Sequence, residues 1–509
     1  MKKIIAYDLG TGGNKASLYE PDGTFITSAF VKYPTYYPKP GFHEQKPDDW
    51  VDAVSESTKR LLDASGVSGK EIAAVALSGH SLGIVPLDRD GNLLRETVPI
   101  WSDSRADQQA NAFFEKTDPA LWYQQTGNGF PAPHYSIFKL MWYQENEPEM
   151  FGKIDQFTGT KDYVNFRLTG KIATDPSYAS GSGVYDLVRG EYDEGLLRAS
   201  GIDRRIFPEI VPSTEILGPL SREGAEKLGL TPSTLVVAGG VDNSCMALGA
   251  GSFLPGRLYA SLGSSSWIAL CGEKPALDDR TKPYVFAHVV PGMFVSALAI
   301  FSSGTTFNWI LRHFCRDLEE RASREGSNPF DLMVKEAAQS PPGAKGLIMN
   351  PSFAGGSSLD PTPLIRGAFL NLDLSHDRSD IIRAAMEGIA ANMRIVLDEI
   401  RKLADTENRI VVVGGGAISS LWRQIYADLL NIGIDKTNIG QNAASLGAAA
   451  LAARGLGFWN SFDPIDDLLK VEESLLPNRE NREVYKKMFD QFYKTRDLLA
   501  QFSRFAANF

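Results

Sequence analysis

I-I-A-Y-D-L-G-T-G-G-N-K-A-S-L-Y, residues 4–19, is the stretch on which the fold turns. Residues 4–9 form a short apolar run of the kind that makes a buried strand, and the glycines of D-L-G-T-G-G-N-K, residues 8–15, interrupt it. Strand character resumes over residues 16–19, P-D-G at 21–23 supplies a turn, and residues 25–30 continue beyond it. The unit is an antiparallel succession of three strands, not a strand feeding a helix. A helix follows over residues 47–64, with Asp48 and Asp49 in its first turn and Trp50, Val54, Leu61 and Leu62 on its apolar face. Residues 72–78 read as a further buried strand.

The second half replays this theme. Residues 235–238 form a strand ending in G-G-V-D-N, and residues 257–262 form another ending in G-S-S-S. Residues 267–271 and 293–299 continue in strand style. A long amphipathic helix spans 381–403, a strand at 410–413 ends in G-G-G-A, and a helix covers 420–430. With 509 residues the chain is too long for a single hydrophobic core. The loop-like G-A-G-S-F-L-P-G suggests a division into domains 1–246 and 247–509. The duplication is one of architecture, since no short-period repeat is visible.

A net charge of −10, spread along the chain, repels nucleic acid and anionic lipid and argues against both as partners. Three cysteines, Cys245, Cys271 and Cys315, have no metal-like spacing and an odd count, which argues against a disulfide framework. The N-terminus lacks a secretory h-region, and no apolar run approaches the ~20 residues needed to cross a bilayer. The expected setting is cytoplasmic.

Three glycine clusters, residues 8–15, 261–266 and 414–417, each terminate a strand. Glycine lets backbone N–H groups close on phosphate oxygens, and neighbouring hydroxyls add donors. None is a Walker loop G-x-x-x-x-G-K-S/T or a dinucleotide-binding G-x-G-x-x-G. One such cluster alone reads as a tight hairpin; three together point to a nucleotide site. Asp8, ionised at the end of a buried strand, needs a compensating cation, and magnesium on ATP phosphates supplies one. Asp242, just beyond another buried strand, can accept a hydroxyl proton during phosphoryl transfer or can cap the helix that follows.

The motifs A-Y-D-L-G-T-G-G-N-K-A (6–16), W-S-D-S-R-A (101–106), G-G-V-D-N (239–243), G-A-F-L-N-L-D-L-S-H-D-R-S-D-I-I-R-A-A-M-E-G (367–388) and V-V-V-G-G-G-A (411–417) occur in this order. Together they resemble the FGGY carbohydrate kinases of the actin–hexokinase superfamily over almost the whole chain. K-D-Y-V-N-F-R-L-T-G-K-I-A-T-D (161–175), with Ser177 and A-S-G at 179–181, looks most like the xylulokinase branch. The resemblance implies an α/β fold of two ribonuclease-H-like domains with a nucleotide cleft between them. It implies ATP and Mg2+ as cofactors, a small sugar as substrate, and admits a homodimer. Asp8, Thr11, Gly12, Gly13 and Lys15 match the first phosphate loop, and Gly263, Ser264 and Ser265 the second. Gly415, Gly416 and Ala417 match the adenosine-side loop, and Gly304 is a further cofactor-binding candidate. Asp242 matches the catalytic base, Asn243 its partner, and Asp8 with Asp242 the metal-binding carboxylates.

Two positions depart from the family pattern. Ser81 and Leu82, in S-G-H-S-L-G, stand where relatives carry polyol-reading side chains, and His80 is placed to substitute. Asn371 stands where a glycine is usual. The remaining sugar-site candidates are Ser81, Trp101 as an aromatic wall, His134 with Tyr135, and Asp103, which either bonds sugar hydroxyls or pairs with Arg105. His43, His288, His313 and His376 read as structural or surface residues, and the aromatic C-terminus, 485–509, as a packing helix or subunit interface. A nucleotide-regulated binding protein of the actin type is the competing reading. Among substrates, xylulose, ribulose, a tetrulose, gluconate and glycerol stay open.

Overall fold

The computed structural model describes residues 2–506, and its N-terminus is the three-strand unit expected from residues 4–30. Strands β1 (Lys3–Gly10), β2 (Gly13–Tyr19) and β3 (Phe25–Lys32) pair antiparallel. β4 (Ile72–Gly79) then adds parallel to β1, β6 (Leu235–Val241) parallel to β4, and β5 (Ile216–Pro219) antiparallel to β6, giving the order β5-β6-β4-β1-β2-β3. β4 is buried at every position, as a parallel strand covered on both faces must be. The helix Pro47–Ser65 begins on a proline at its first turn and ends at Gly66 in the left-handed conformation; it buries Trp50, Val54 and Leu61.

The second sheet repeats the pattern. β7 (Leu258–Leu262) pairs antiparallel with β8 (Ser266–Gly272) and parallel with β9 (Arg409–Val413). β10 (Gly433–Thr437) follows parallel and β11 (Val471–Leu475) closes the edge antiparallel. The expected strand at 293–299 is found at Phe294–Ile300 and the helix at 420–430 at Ser420–Leu430. The long helix is Arg378–Leu403, opened by a capping box in which Asp377 accepts from the backbone of Ser379 and Asp380. The C-terminal helix, Arg482–Ala506, buries Tyr485, Met488 and Phe492 against the second core, which supports the packing reading; residues 507–509 lie outside the described residues.

Two compact units result. One comprises Met1–Pro255, Cys271–Ser296 and Asn442–Leu469; the other Gly256–Leu270, Ala297–Gln441 and Lys470–Phe509. Among the described residues no helix is long and apolar enough to cross a membrane.

In the first unit the helix Asp242–Gly249 lies directly on the helix Ala443–Gly455 through small residues. A Cβ on Gly249 would stand 1.9 Å from the Ala443 carbonyl oxygen, and one on Gly447 2.0 Å from that of Cys245. Only hydrogen fits at either position. Gly447→Val is therefore expected to lower the thermal midpoint, with about 1–3 kcal/mol or more lost to overpacking. A midpoint equal to wild type in differential scanning calorimetry would contradict this close approach.

Candidate active site

In each unit the glycine clusters stand at the carboxyl ends of parallel strands, where α/β sheets collect ligands. In the first unit Ser78 of β4 is in register with Asp8 of β1 on one side and Gly240 of β6 on the other. Asp8, His80 and Asp242 thus emerge from the same end of three neighbouring strands. Asp8 lies across the hairpin from Lys15, its carboxylate 3.8 Å from the ammonium. Desolvation raises the Asp8 pKa, with Lys15 opposing; desolvation likewise lowers that of Lys15, with Asp8 opposing. Neither charge is fully compensated by the other. The turn between them is pinned from outside: Gln45 Nε2 donates to the Thr11 carbonyl at 2.7 Å, and Trp101 Nε1 to the Thr11 hydroxyl at 2.9 Å. That hydroxyl keeps its own proton to donate. Gly12 is exposed with nothing near its missing side chain.

Asp242 opens the helix Asp242–Gly249, and Val241, not Asp242, occupies the cap position. The Asp242 carboxylate accepts from the Asn243 backbone N–H at 2.8 Å. Desolvation first and the nearby Asp8 charge second push its pKa up to about 7. A carboxylate raised by burial and by the charge of a second one in this way suits a divalent cation. Among the described residues no group of three or more His, Cys, Asp or Glu side chains that could hold a metal ion exists.

His80 is 2% exposed; its backbone N–H donates to the Leu9 carbonyl, its Nδ1 lies 3.3 Å from the Thr160 hydroxyl, and Trp50 packs edge-on. Burial pushes its pKa down to about 3, so the ring is neutral. Ser81 is buried beside it. His134 is half-buried with Nδ1 3.2 Å from the Trp101 carbonyl, and burial lowers it to about 4. The Tyr135 hydroxyl accepts from the Phe130 N–H at 2.9 Å. Of the two readings of Asp103, the ion pair is the one observed. Its Oδ1 accepts from Arg105 Nε at 2.9 Å, its Oδ2 from Arg105 Nη2 at 2.8 Å and from the His43 N–H at 2.7 Å, and Arg105 also reaches Glu44. Asp103 is fully buried and both its oxygens are engaged by protein.

Sequence reasoning missed Lys139. It lies in the helix Ser136–Asn146, fully buried, and donates to the carbonyls of Leu82 at 2.9 Å and Ile100 at 2.7 Å. Desolvation lowers its pKa to about 7. It joins the loop after β4 to the loop bearing Trp101. The only signal was a lysine set among Ile137, Phe138 and Leu140 on an inward face.

In the second unit, β7 and β9 end side by side, with Ser261 in register with Val413. Beyond them lies a cavity of about 410 Å3, lined by Gly263, Ser264, Gly304, Gly415, Gly416 and by side chains from later helices. Gly304 begins the helix Gly304–Phe314 and donates to the Gly263 carbonyl at 3.0 Å; a Cβ there would stand 2.6 Å from that oxygen. Ser265 and Ala417 do not line the cavity. Asn308, Phe330, Trp422 and Tyr426 do, and no motif announced them; Phe307 packs against Phe330 and Trp422 at 5.9 and 4.8 Å to build an aromatic floor.

Residues 3–249 match the N-terminal domain of the FGGY family of carbohydrate kinases and residues 258–456 its C-terminal domain. A xylulose kinase of Bacillus subtilis (strain 168) is 31% identical over the full length of both chains. The structure of a xylulose kinase from Lactobacillus acidophilus superposes with a TM-score of 0.89 at 26% identity, covering 98% of this chain and 99% of that one. A gluconate kinase from the same organism has the same TM-score at 27% identity, covering 98% of each chain.

The raised pKa of Asp242 has a sign that can be checked. Folded Asp242 holds its proton up to about pH 7, whereas an unfolded aspartate loses it near pH 4. Stability contributed here falls as pH rises between those values, and the penalty is complete above about pH 7. In metal-free buffer Asp242→Asn is expected to melt higher than wild type at pH 8, with the gap closing toward pH 4. A variant that melts lower at pH 8 would refute a strained carboxylate.

Proposed function

Because the chain belongs to the FGGY family of carbohydrate kinases and is an ATP-dependent sugar kinase, we propose that it phosphorylates a hydroxyl of a ketopentose such as xylulose, with Asp242 as the general base. The observation that carries this reading is a half-buried carboxylate at the carboxyl end of β6, poised near neutral pH and standing beside Asp8. We assign sugar binding and catalysis to domain 1–246 and ATP binding to domain 247–509.

The sugar hydroxyl donates its hydrogen bond to Asp242. As its oxygen bonds to the γ-phosphorus of ATP, the bond to the β–γ bridging oxygen breaks, ADP departs, and the hydroxyl proton passes to Asp242. His80, neutral across the working range, and Asn243 orient the sugar; Trp101 forms a wall and His134 faces it from the next loop. Thr11, with Gly12 and Gly13, offers donors to the transferring phosphoryl group, and Lys15 adds positive charge. Gly263 and Ser264 receive the remaining phosphates, and the aromatic floor near Gly415 and Gly416 receives adenine. Asp8 and Asp242 would hold Mg2+, which would neutralise phosphate charge when bound. Asp103 acts by fixing its loop through Arg105, not by touching sugar.

A sugar acid such as gluconate is the second reading, favoured by the equal structural likeness of a gluconate kinase. We place the protein in the cytoplasm. We also propose a homodimer, for which exposed Leu498, Phe502 and Phe505 of the C-terminal helix offer an apolar face; light scattering during size-exclusion chromatography decides it.

Asp242→Asn is expected to lower kcat by about 10²–10⁴-fold with little change in either KM. Wild-type kcat/KM should lose activity with a one-proton slope as pH falls through about 7, and that limb should vanish in the variant. Asp8→Ala should raise the Mg2+ concentration needed for half-maximal rate; an unchanged magnesium titration removes Asp8 from the metal. ADP release measured over xylulose, ribulose, gluconate and glycerol should be fastest with a ketopentose. Glycerol as the preferred acceptor would overturn the substrate assignment while leaving the kinase chemistry in place.

A further inference from the structure

The K-D-Y…T-D segment that marks the xylulokinase-like branch has no part in the steps above, and the charged side chains at its two ends are nonetheless buried. Lys161, Asp162 and Asp175 are at most 1% exposed. Lys161 Nζ lies 2.5 Å from Asp162 Oδ1 and 3.0 Å from Asp175 Oδ1. Asp162 Oδ2 accepts from the Thr174 hydroxyl at 2.7 Å. Asp175 Oδ2 accepts from the Ser213 hydroxyl at 2.8 Å and from the Ser177 hydroxyl at 2.5 Å. Ser177 Oγ in turn accepts from the Val241 N–H at 2.9 Å. The chain of contacts ends one residue before Asp242.

That last bond sits at a bulge where the Ala238 N–H also donates to the Glu215 carbonyl at 2.9 Å and the Gly239 N–H to the Ser213 carbonyl at 3.0 Å. Gly239 and Gly240 present no side chains, and the pairing of β6 with β4 slips between Val237 and Gly240. The carbonyl of Ala238, released by this bulge, accepts from Asn165 Nδ2 at 2.9 Å and from Lys161 Nζ at 3.3 Å. A Cβ on Gly240 would meet Ser177 Oγ at 3.2 Å and a Val289 methyl at 2.3 Å, so glycine is what lets the hydroxyl reach Val241. Val241 itself is fully buried, so packing and hydrogen bonds act together at the strand end. Hydrogen bonds from one buried charged cluster hold it on both sides of the bulge.

We infer that Ser177 is a positioning residue for Asp242, fixing the height of the carboxylate over the bound sugar through the Val241 N–H, with Asp175 and Lys161 orienting the hydroxyl. The inference rests on the assignment of Asp242 as the base. The Asp175 carboxylate, held by Lys161, accepts the Ser177 hydroxyl proton, so the hydroxyl lone pair is turned to Val241. Misplacement of a reacting group by about 1 Å is worth about 10²-fold in rate.

Ser177→Ala is expected to lower kcat by about 10- to 100-fold, with KM for sugar and for ATP changed less than about threefold. Ser177→Cys, close in volume but a poor acceptor, should fall as far with a smaller loss of thermal stability, and it serves if the alanine variant does not fold. Ser177→Thr keeps the hydroxyl and should recover most of the rate. In an Asp242→Asn background Ser177→Ala should cause no further loss of kcat, because the group it positions is gone. A wild-type kcat in the alanine and cysteine variants, a rise confined to KM, or full additivity with Asp242→Asn would each overturn the inference. Near-wild-type turnover by Asp242→Asn alone would instead overturn the assignment of the base.

Discussion

The junction between β6 and the helix Asp242–Gly249 leaves no room for a Cβ at two successive residues. One on Gly239 would stand 1.9 Å from the Leu77 carbonyl oxygen, and one on Gly240 2.3 Å from Val289. Most of what distinguishes the first unit follows from that. The strand presses into its neighbour, bulges, and releases the Ala238 carbonyl, which the segment at 161–165 then satisfies. The helix that starts at Asp242 lies so close to Ala443–Gly455 that Gly249 and Gly447 admit only hydrogen. A carboxylate is thereby delivered to the end of a sheet, two residues beyond the level of Asp8 on β1.

Buried charge recurs around this frame in three places: Lys161 with Asp162 and Asp175, Arg105 with Asp103 and Glu44, and Lys139 on two carbonyls. Such groups are weak contributors to stability, because desolvation offsets most of the Coulombic gain. Their common feature is geometric. Each joins loops from distant parts of the chain near the carboxyl ends of β1, β4 and β6, where apolar packing would fill the space needed by a polar substrate. Directional bonds to a buried charge fix a loop without closing the site.

What was legible in the sequence was legible for local reasons. Residues 4–9 read as a strand because the run is apolar and ends in glycine, and Ser420–Leu430 read as a helix from its own periodicity. Asp242 stood out because an acid beyond a buried strand needs a purpose. The pairing of Asp103 with Arg105 was one of two open readings, and the sequence offered no way to see that Glu44 and His43 would complete it. Asn308, Phe330, Trp422 and Tyr426 carry no pattern because each belongs to a different turn of helix, and only the folded second unit sets them around one cavity. The repeated crossing of the chain between its two compact units is likewise a property of topology, with no composition shift to mark it.

Both departures from the family pattern coincide with left-handed backbone. Asn371 has φ +66°, and asparagine is the side chain that tolerates this region best after glycine. Leu82, at φ +61°, is a different matter: a leucine there is strained by about 1–2 kcal/mol. The conformation persists because its surroundings over-determine it. Lys139 takes the Leu82 carbonyl, and the side chain lies against Gly181, where a Cβ would stand 2.6 Å from a Leu82 methyl. Gly181 belongs to the A-S-G element that follows the K-D-Y segment, so the unusual loop and the branch-like motif are parts of one arrangement. A side chain at position 82 turned toward Gly181 is not reaching for sugar. In the proposed reading, recognition on this wall of the first unit falls to His80 and to the backbone that the strained residue holds in place, a template at residues 80–83 shaped by its supports at 139 and 181.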